Sequence, residues 1–441
     1  MKYIQRTSKN IKENFLVELL ADRGLIPSVS DWKNFIYTTK NHLLNWNLLD
    51  NIKEGANLLV EHLENNKKIY IVIDPDVDGF TSAAVLYNFI EKNFRPKYPN
   101  FTLDYHIPDG KQHGLESVMS ELEKEKIYDL IILPDSSSND YEYHKTLSDM
   151  GYKILVIDHH LASHYSEDAI VINNQLSEKY PNKELSGVGV VFKFISLLDD
   201  MFQIGNCFDY LDLVAMGICG DMCPLTTLEN RFISDYGFSH IYNKGFQELI
   251  KLQSYSLFGS SDTITDESFN TLEKVILTPM QVAFYIVPLI NALIRVGTEK
   301  DKEMLFKSFI CGEELVESTK RGHKGEMETI ATQSARNCTN ARNRQNREKD
   351  KALELLDIQI MNDCLDENKI LILNADDLDI SNTLTGLCAM GVAAKYKKPV
   401  LLGRIGNDGY LKGSMRGQND SELKDFREFL LNSNYMDYVE G

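Results

Sequence analysis

Positive charge is scarce in this chain: 47 Lys and Arg stand against 65 Asp and Glu, a net charge of −18 over 441 residues. That balance excludes a surface that is basic overall, so a polyanionic substrate must be met by bound cations or by a few clustered Arg and Lys. Cysteine is sparse too. Seven thiols, an odd number scattered along a long sequence, make no disulfide framework, and Cys219 with Cys223 lacks the second Cys/His pair of a zinc site. A reducing, cytoplasmic setting is the expectation. Long hydrophobic runs are also missing. The longest, Ala283 to Ile294, is broken by Pro288 and Asn291, so no membrane span is expected, and Glu18 interrupts the only apolar stretch near the N-terminus, so no secretory signal is expected. Internal repeats and low-complexity tracts are absent. What is left, 43% hydrophobic and 10% aromatic, is ordinary globular composition of a length for two or three domains.

Against that background one stretch stands out. Ile69, Ile71, Val72 and Ile73 read as a buried strand, which ends in Asp74, Asp76 and Asp78, then Gly79, then an apolar helix from Ala83. Three carboxylates at the carboxyl end of a strand repel one another unless a cation sits between them. The plain alternative is an acidic turn in which Asp78 or Ser82 caps the helix.

The neighbouring sequence repeats the placement. Strands are expected over 101–108, 129–134 and 153–157, with helices over 115–125 and 141–150 between them. The third strand delivers Asp135, and the fourth delivers Asp158, His159 and His160. A later helix, 209–218, leads to Asp221. Strand–helix alternation with short turns predicts a parallel α/β sheet. Two helices, Asn14–Asp22 and Asp50–Glu64, read as a packing cap before it. Gly187-Val-Gly189 opens a helix and is either a phosphate loop or a plain helix entry.

From about 240 to 352 the texture is helical, with Arg336, Arg342, Arg344, Arg347, Lys349 and Lys351 clustered. These residues read either as a solvated connector helix or as a substrate-facing strip. Alternation returns at 369–373, 384–396, 399–402 and 410–416. The expected organisation is an α/β parallel-sheet domain with a helical cap (1–238), a helical connector (239–355) and a smaller α/β domain (356–441).

Asp74, Asp76, Asp78, Asp135, His159 and Asp221 make a donor set of hard oxygens and imidazole. Such a set suits Mn²⁺ or Mg²⁺, and no thiolate belongs to it. Asp135 is the candidate to bridge two ions, because its strand should lie between the others. Asp158 is placed to steady a histidine from behind the ligands.

These motifs resemble those of the DHH phosphoesterases. Asp158-His159-His160 is similar to the motif that names them, and Asp74-Pro-Asp-Val-Asp-Gly79, Asp135 and Asp221 are similar to the others. Within that superfamily the chain resembles the RecJ-type single-stranded-DNA exonucleases. Supporting segments include Leu185-Ser-Gly-Val-Gly-Val190, Glu229-Asn-Arg231, Asn343-Arg344-Gln345 and Gly413-Ser-Met-Arg416. The resemblance implies a DHH domain joined by a long helix to a DHHA1 domain, with single-stranded DNA threading between them. It implies two divalent metals with manganese preferred, 5′-to-3′ hydrolysis releasing mononucleotides, and a place in DNA repair and recombination, with replication or repair proteins as possible partners. It also implies catalytic work by Asp135, His159 and His160, and phosphate binding by Arg295, Ser414 and Arg416.

The chain departs from that pattern in places. Ile-Pro-x-Arg becomes Ile107-Pro-Asp-Gly110 with Lys111 nearby, and no Gly-Gly-His segment follows Arg416 before Gly441. Two further readings therefore stand beside the exonuclease. One is a phosphodiesterase for oligoribonucleotides or linear dinucleotides, and the other a catalytically weakened binding subunit of a replication or repair complex.

Overall fold

Apolar runs hydrophobic on both faces, each followed by enough chain for a crossover, build a parallel sheet with helices on both sides. A computed structural model describes residues 15–26, 31–108, 112–259, 264–269, 275–376, 378–406, 409–418, 423, 425–433 and 436. Asn14, the segment 109–111 with Lys111, and the last residues to Gly441 lie outside the described residues. Strands Lys68–Val72 (β1), Thr102–His106 (β2), Leu130–Pro134 (β3), Lys153–Asp158 (β4) and Ile170–Asn173 (β5) are ordered β2-β1-β3-β4-β5, each neighbouring pair parallel. β3 is the middle strand, as expected for the one that delivers Asp135.

Side chains alternate across the sheet. Tyr70, Val72, Ile131, Leu133, Ile154 and Val156 pack on one face beneath Leu115, Leu122 and Leu147. Ile71, Ile132, Leu155 and Ile172 are fully buried on the other. There the helix Ile52–Glu64 approaches so closely that a Cβ on Gly55 would lie 2.8 Å from Leu155 and 2.9 Å from Ile172. Each such aliphatic side chain contributes about 1.5–3 kcal/mol. This sheet is the rigid platform of the molecule.

Three helices then bring chain to the carboxyl edge of the sheet: Val77–Phe94 (α1), Gly187–Phe202 (α2) and Leu211–Gly220 (α3). Behind them, Leu228–Gly237 (α4) carries Glu229 into the interior. The expected helix over 115–125 is instead a 3-10 turn, Gly114–Ser117, and a single turn, Met119–Leu122. Val118, at φ −120°, separates the two.

By packing, the chain divides into two units, 1–294 with 298–337 and 295–297 with 338–441. The sequence reading set its boundaries at 238 and 355. The first unit extends beyond 238 because Phe306, on the helix Glu299–Ile310, packs its ring against Phe80 and Tyr105. A short hairpin, Leu315–Glu317 (β6) with Met327–Thr329 (β7), lies in the segment read as purely helical. Few apolar residues alternate there, so no strand pattern was visible.

The long helix Ile330–Asn362 (α5) has its first turns in the first unit and the remainder in the second. The second unit has its own sheet, Leu371–Asn374 (β8), Val400–Ile405 (β9) and Leu411–Arg416 (β10), ordered β10-β9-β8. β8 and β9 are parallel, whereas β10 runs antiparallel. Cys388, Ala389 and Val392 of the helix Thr385–Tyr396 (α6) join Leu356 and Ile360 of α5 in that unit's core.

Pro279–Val296 is continuous enough, at a mean hydropathy of 1.4, to cross a membrane by length and composition, contrary to the sequence expectation. A π-helical segment, Val282–Ile286, stands just before Pro288 and lets the helix accommodate the missing amide donor. Ile286, Ile290 and Leu293 are wholly buried within the protein on one face, whereas Met280 and Phe284 are exposed.

Candidate metal centre

The strands and helices converge on a knot of carboxylates. Asp74 follows β1, Asp135 follows β3, Asp158 ends β4, and Asp221 caps α3 at its C-terminus. Asp76 caps α1, its Oδ1 accepting the Gly79 amide at 2.9 Å. Asp78, in the first turn of α1, points at the start of α2, where its two oxygens accept from Gly187 N at 2.6 Å and Val188 N at 3.2 Å. The helix entry at Gly187-Val-Gly189 thus spends its first amides on a carboxylate of the protein itself.

Close approach of backbone makes room for the knot. A Cβ on Gly187 would lie 2.1 Å from Asp135 Oδ1, one on Gly79 2.4 Å from Asp74 O, and one on Gly217 2.4 Å from Asp78 Oδ1. Asp135 itself sits at φ +72°, a left-handed backbone that costs a non-glycine residue on the order of 1 kcal/mol. The surrounding fold holds it there, through Asp135 N donating to Ile157 O at 2.8 Å.

His159 Nε2 lies 3.1 Å from Asp221 Oδ2, 3.3 Å from Asp135 Oδ1 and 3.9 Å from Asp78 Oδ2. Both His159 Nε2 and Asp135 Oδ1 are buried, and their close contacts are ion pairs within the knot, with one another and with Asp221, rather than well-formed hydrogen bonds. Donor atoms of Asp78, His159 and Asp221 fall within 4.8 Å of one another, as do those of Asp74, Asp76 and Asp135. Burial, reinforced by Asp74 and Asp221, pushes the Asp76 carboxyl up to about 6. Burial and then Asp221 carry Asp78 to about 7, and burial with four carboxylate neighbours holds Asp135 well above the usual range. For His159, burial lowers the pKa, but Asp221 and Asp78 outweigh it and raise the group to about 9. Carboxylates driven up by burial and by one another, crowded around a buried imidazole, fit a divalent cation. No cysteine is among the described side chains whose donor atoms converge there.

Asp158 serves from behind. Wholly buried, its Oδ1 accepts from His159 N at 2.7 Å and from His160 Nδ1 at 2.8 Å, while Oδ2 accepts from Ser138 N at 3.1 Å. Burial alone would raise its carboxyl, but the His160 hydrogen bond and charge bring it well below the usual range. The same bond lifts His160 to about 9.

The sequence reading missed His113. It stands in the loop after β2, its Nδ1 3.1 Å from each oxygen of Asp74, and that bond raises its pKa. The rule that sites gather at the carboxyl ends of strands, applied to β2 as it was to β1, β3 and β4, would have pointed there.

Ser414 and Arg416 lie on one face of β10, both against the first turn of α6. A Cβ on Gly386 would meet Arg416 Nη2 at 2.9 Å and Ser414 Oγ at 3.4 Å. Arg295 belongs to the same second unit. Of the basic cluster on α5, Arg336 is held by both oxygens of Glu328 at 2.7 and 2.5 Å, Arg342 by Gln345, and Arg344 by Val296 O. Protein partners therefore occupy much of that strip.

The comparisons with known proteins converge. The DHH family, N-terminal domain, matches residues 68–218. Over 436 residues the chain is 34% identical to the putative SPbeta prophage-derived single-strand DNA-specific exonuclease YorK of Bacillus subtilis, covering 97% of this chain and 70% of that protein. The chain is a RecJ-like member of the DHH family. It is 26% identical over 413 residues to the single-stranded-DNA-specific exonuclease RecJ of Bacillus subtilis, 91% of this chain but only 46% of that one. The crystal structure of exonuclease RecJ bound to manganese superposes at a TM-score of 0.63, with 22% identity over 84% of this chain and 82% of that chain. RecJ from Thermus thermophilus in complex with Mn²⁺ gives 0.62 and 21%, covering 84% of this chain and 47% of that one. At these identities the structural matches speak for the fold.

Proposed function

We propose that this chain is a divalent-metal-dependent exonuclease that hydrolyses single-stranded DNA from its 5′ end and releases 5′-mononucleotides. The observation that carries the reading is a pair of donor triads, Asp74–Asp76–Asp135 and Asp78–His159–Asp221, joined by a third converging group, Asp135–Asp158–His159–His160, with Asp135 Oδ1 and His159 Nε2 buried 3.3 Å apart. The names of its relatives, single-strand-DNA-specific exonucleases, support the substrate. Each triad would hold one ion, and Asp135, on the central strand, is assigned to both. Bound there, Mn²⁺ or Mg²⁺ would lower the pKa of water and draw the phosphoryl oxygens.

The chain's own residues do the rest. Asp158 fixes the ring of His160 through Nδ1, and that ring, more than half exposed, is assigned to donate to a phosphate oxygen or protonate a leaving oxygen. Arg295, Ser414 and Arg416 are assigned to phosphate, for which the planar guanidinium fork is matched. A cytoplasmic location belongs to this reading, supported by seven free thiols.

The net charge of −18 favours a second reading, a phosphodiesterase for short oligoribonucleotides or linear dinucleotides. One assay separates the two. Purified protein with Mn²⁺ is given 5′-labelled and 3′-labelled single-stranded DNA beside a labelled diribonucleotide. Prompt release of the 5′ label as mononucleotide, with the 3′-labelled strand shortening progressively, is the expected result. Cleavage of the dinucleotide with long DNA untouched would overturn the exonuclease reading.

A further inference from the structure

β5 sends no ligand to the cluster, yet it ends there. Its last residue, Asn173, lies in register with Asp158 of β4, and its side chain is fully buried. Nδ2 of the amide donates to Ser138 Oγ at 2.8 Å and to the backbone carbonyl of His160 at 2.9 Å, while Oδ1 accepts from Gln175 N at 2.7 Å. The last bond fixes which way the amide faces, because Oδ1 meets an N–H and Nδ2 meets two acceptors. The backbone is pinned too, the Asn173 carbonyl accepting from Ser177 N at 3.1 Å and Ser177 Oγ at 2.7 Å.

These bonds close a circuit. Ser138, in the loop after Asp135, donates its N–H to Asp158 Oδ2, and Asp158 Oδ1 holds Nδ1 of His160. Asn173 joins the hydroxyl of Ser138 to the carbonyl of His160 and so completes the loop. His160 N also donates to Asp158 Oδ1, at 3.2 Å. The amide, the carbonyl and one ring nitrogen of His160 are thus all held from beneath. Asn173, Ser138 and Asp158 are buried, whereas the His160 side chain is 57% exposed. None of the side-chain hydrogen bonds of Asn173 goes to Asp74, Asp76, Asp78, Asp135, His159 or Asp221. An aliphatic side chain of similar shape would fill the same space without the desolvation of an amide. Three hydrogen bonds at that point therefore serve geometry more than stability.

The geometry points to Asn173 as a positioning residue for hydrolysis: it fixes the backbone of His160 so that the ring meets the substrate in one orientation. The inference rests on the reading that His160 donates to a phosphate or leaving oxygen.

The test uses the full chain with Asn173→Leu, Ser138→Ala and His160→Ala, and with Asn173→Leu combined with His160→Ala. Hydrolysis of 5′-phosphorylated (dT)12 and of a diribonucleotide is followed at steady state with Mn²⁺, and Mn²⁺ binding is measured by calorimetry. The expected result for Asn173→Leu is a kcat about tenfold lower, with KM within about twofold and Mn²⁺ affinity within about threefold. Added to His160→Ala, the same replacement should lower kcat by less than about twofold, because the ring it positions is gone. Ser138→Ala opens the circuit at another point and should lower kcat about threefold; should Asn173→Leu fail to fold, this variant decides. Unchanged kcat in the deciding variant beside a weakened His160→Ala would overturn the inference alone. So would a tenfold loss of Mn²⁺ affinity, or a full tenfold loss added to His160→Ala, either of which would place the role in supporting the whole cluster. A fully active His160→Ala would overturn the reading of His160 and this inference together. A wild type that hydrolyses neither substrate overturns the proposed function and the inference with it.

Discussion

Asp135 combines three costs in one residue: a left-handed backbone, complete burial, and carboxylate neighbours on every side. Asparagine tolerates that backbone and keeps the shape while removing the charge. Asp135→Asn should therefore leave thermal stability in the absence of metal unchanged or raised, and should lower hydrolysis at least about a hundredfold. A melting curve beside a Mn²⁺-dependent nuclease assay checks both halves. The raised groups also set a pH dependence. Asp76 and Asp78, held up to about 6 and about 7, keep protons that the unfolded chain releases near 3.9, and His159, at about 9, keeps one that the unfolded chain releases near 6.5. More protons are bound in the folded state throughout that window, so the metal-free protein should lose stability as pH rises from about 4 to about 9. Mn²⁺ displaces the same protons, so its affinity should rise with pH and proton release should accompany binding. Thermal unfolding at pH 5 and pH 8 with and without Mn²⁺, and calorimetry in buffers of different ionisation enthalpy, measure these effects. Constant stability or no proton release would remove the charge account of the cluster.

Elements meet at the site through glycine and, farther along α2, through the buried ion pair of Lys193 with Glu229. Gly187→Ala would place a methyl group on Asp135 Oδ1 and displace the carboxylate or the start of α2. The expected cost is about 1–3 kcal/mol, with loss of Mn²⁺ binding visible by calorimetry. Glu229 on α4 is the second joint. Its Oε1 is 2.5 Å from Lys193 Nζ on α2 and accepts from Leu44 N at 2.9 Å, while Oε2 accepts from Tyr180 Oη at 2.8 Å and Asn182 Nδ2 at 2.9 Å. Burial pulls the Lys193 pKa down while Glu229 opposes that. Glu229→Ala leaves a buried cation without its partner and should destabilise by about 3–5 kcal/mol. Denaturant unfolding of this variant beside Lys193→Met/Glu229→Leu checks the cause, because the double replacement should recover much of the loss. The motif Glu229-Asn-Arg231 is visible in the sequence, but the partners of Glu229 are 36 to 185 residues away and nothing local announces them.

At the scale of the whole molecule, charge governs the encounter with substrate. A net charge of −18 gives no general attraction for nucleic acid, and Arg336, Arg342 and Arg344 are already engaged with protein. Affinity for a single strand should then depend on bound divalent ions and a few phosphate contacts. The slope of log affinity against log salt should be shallow, about −2 or less in magnitude at about −0.7 per contact. Anisotropy between 50 and 200 mM NaCl at fixed Ca²⁺ measures it, and a steep slope would reveal a basic track instead.

Composition and order along the chain were enough for the parallel sheet, for the strand ends bearing Asp74, Asp135 and Asp158, and for the donor set that suits a hard cation. Hydrophobic period and the residue that ends each run are local properties, and they survive in a single line of text. The tertiary structure alone decided which groups face one another: Asp78 against the amides of α2, His113 over Asp74, Arg336 on Glu328, and the hairpin β6–β7. Those pairings join residues from 8 to 110 positions apart or rest on one close glycine contact, as at Gly114 and Ser137. Their geometry is set by packing after the elements have formed, and no residue pattern along the chain encodes it.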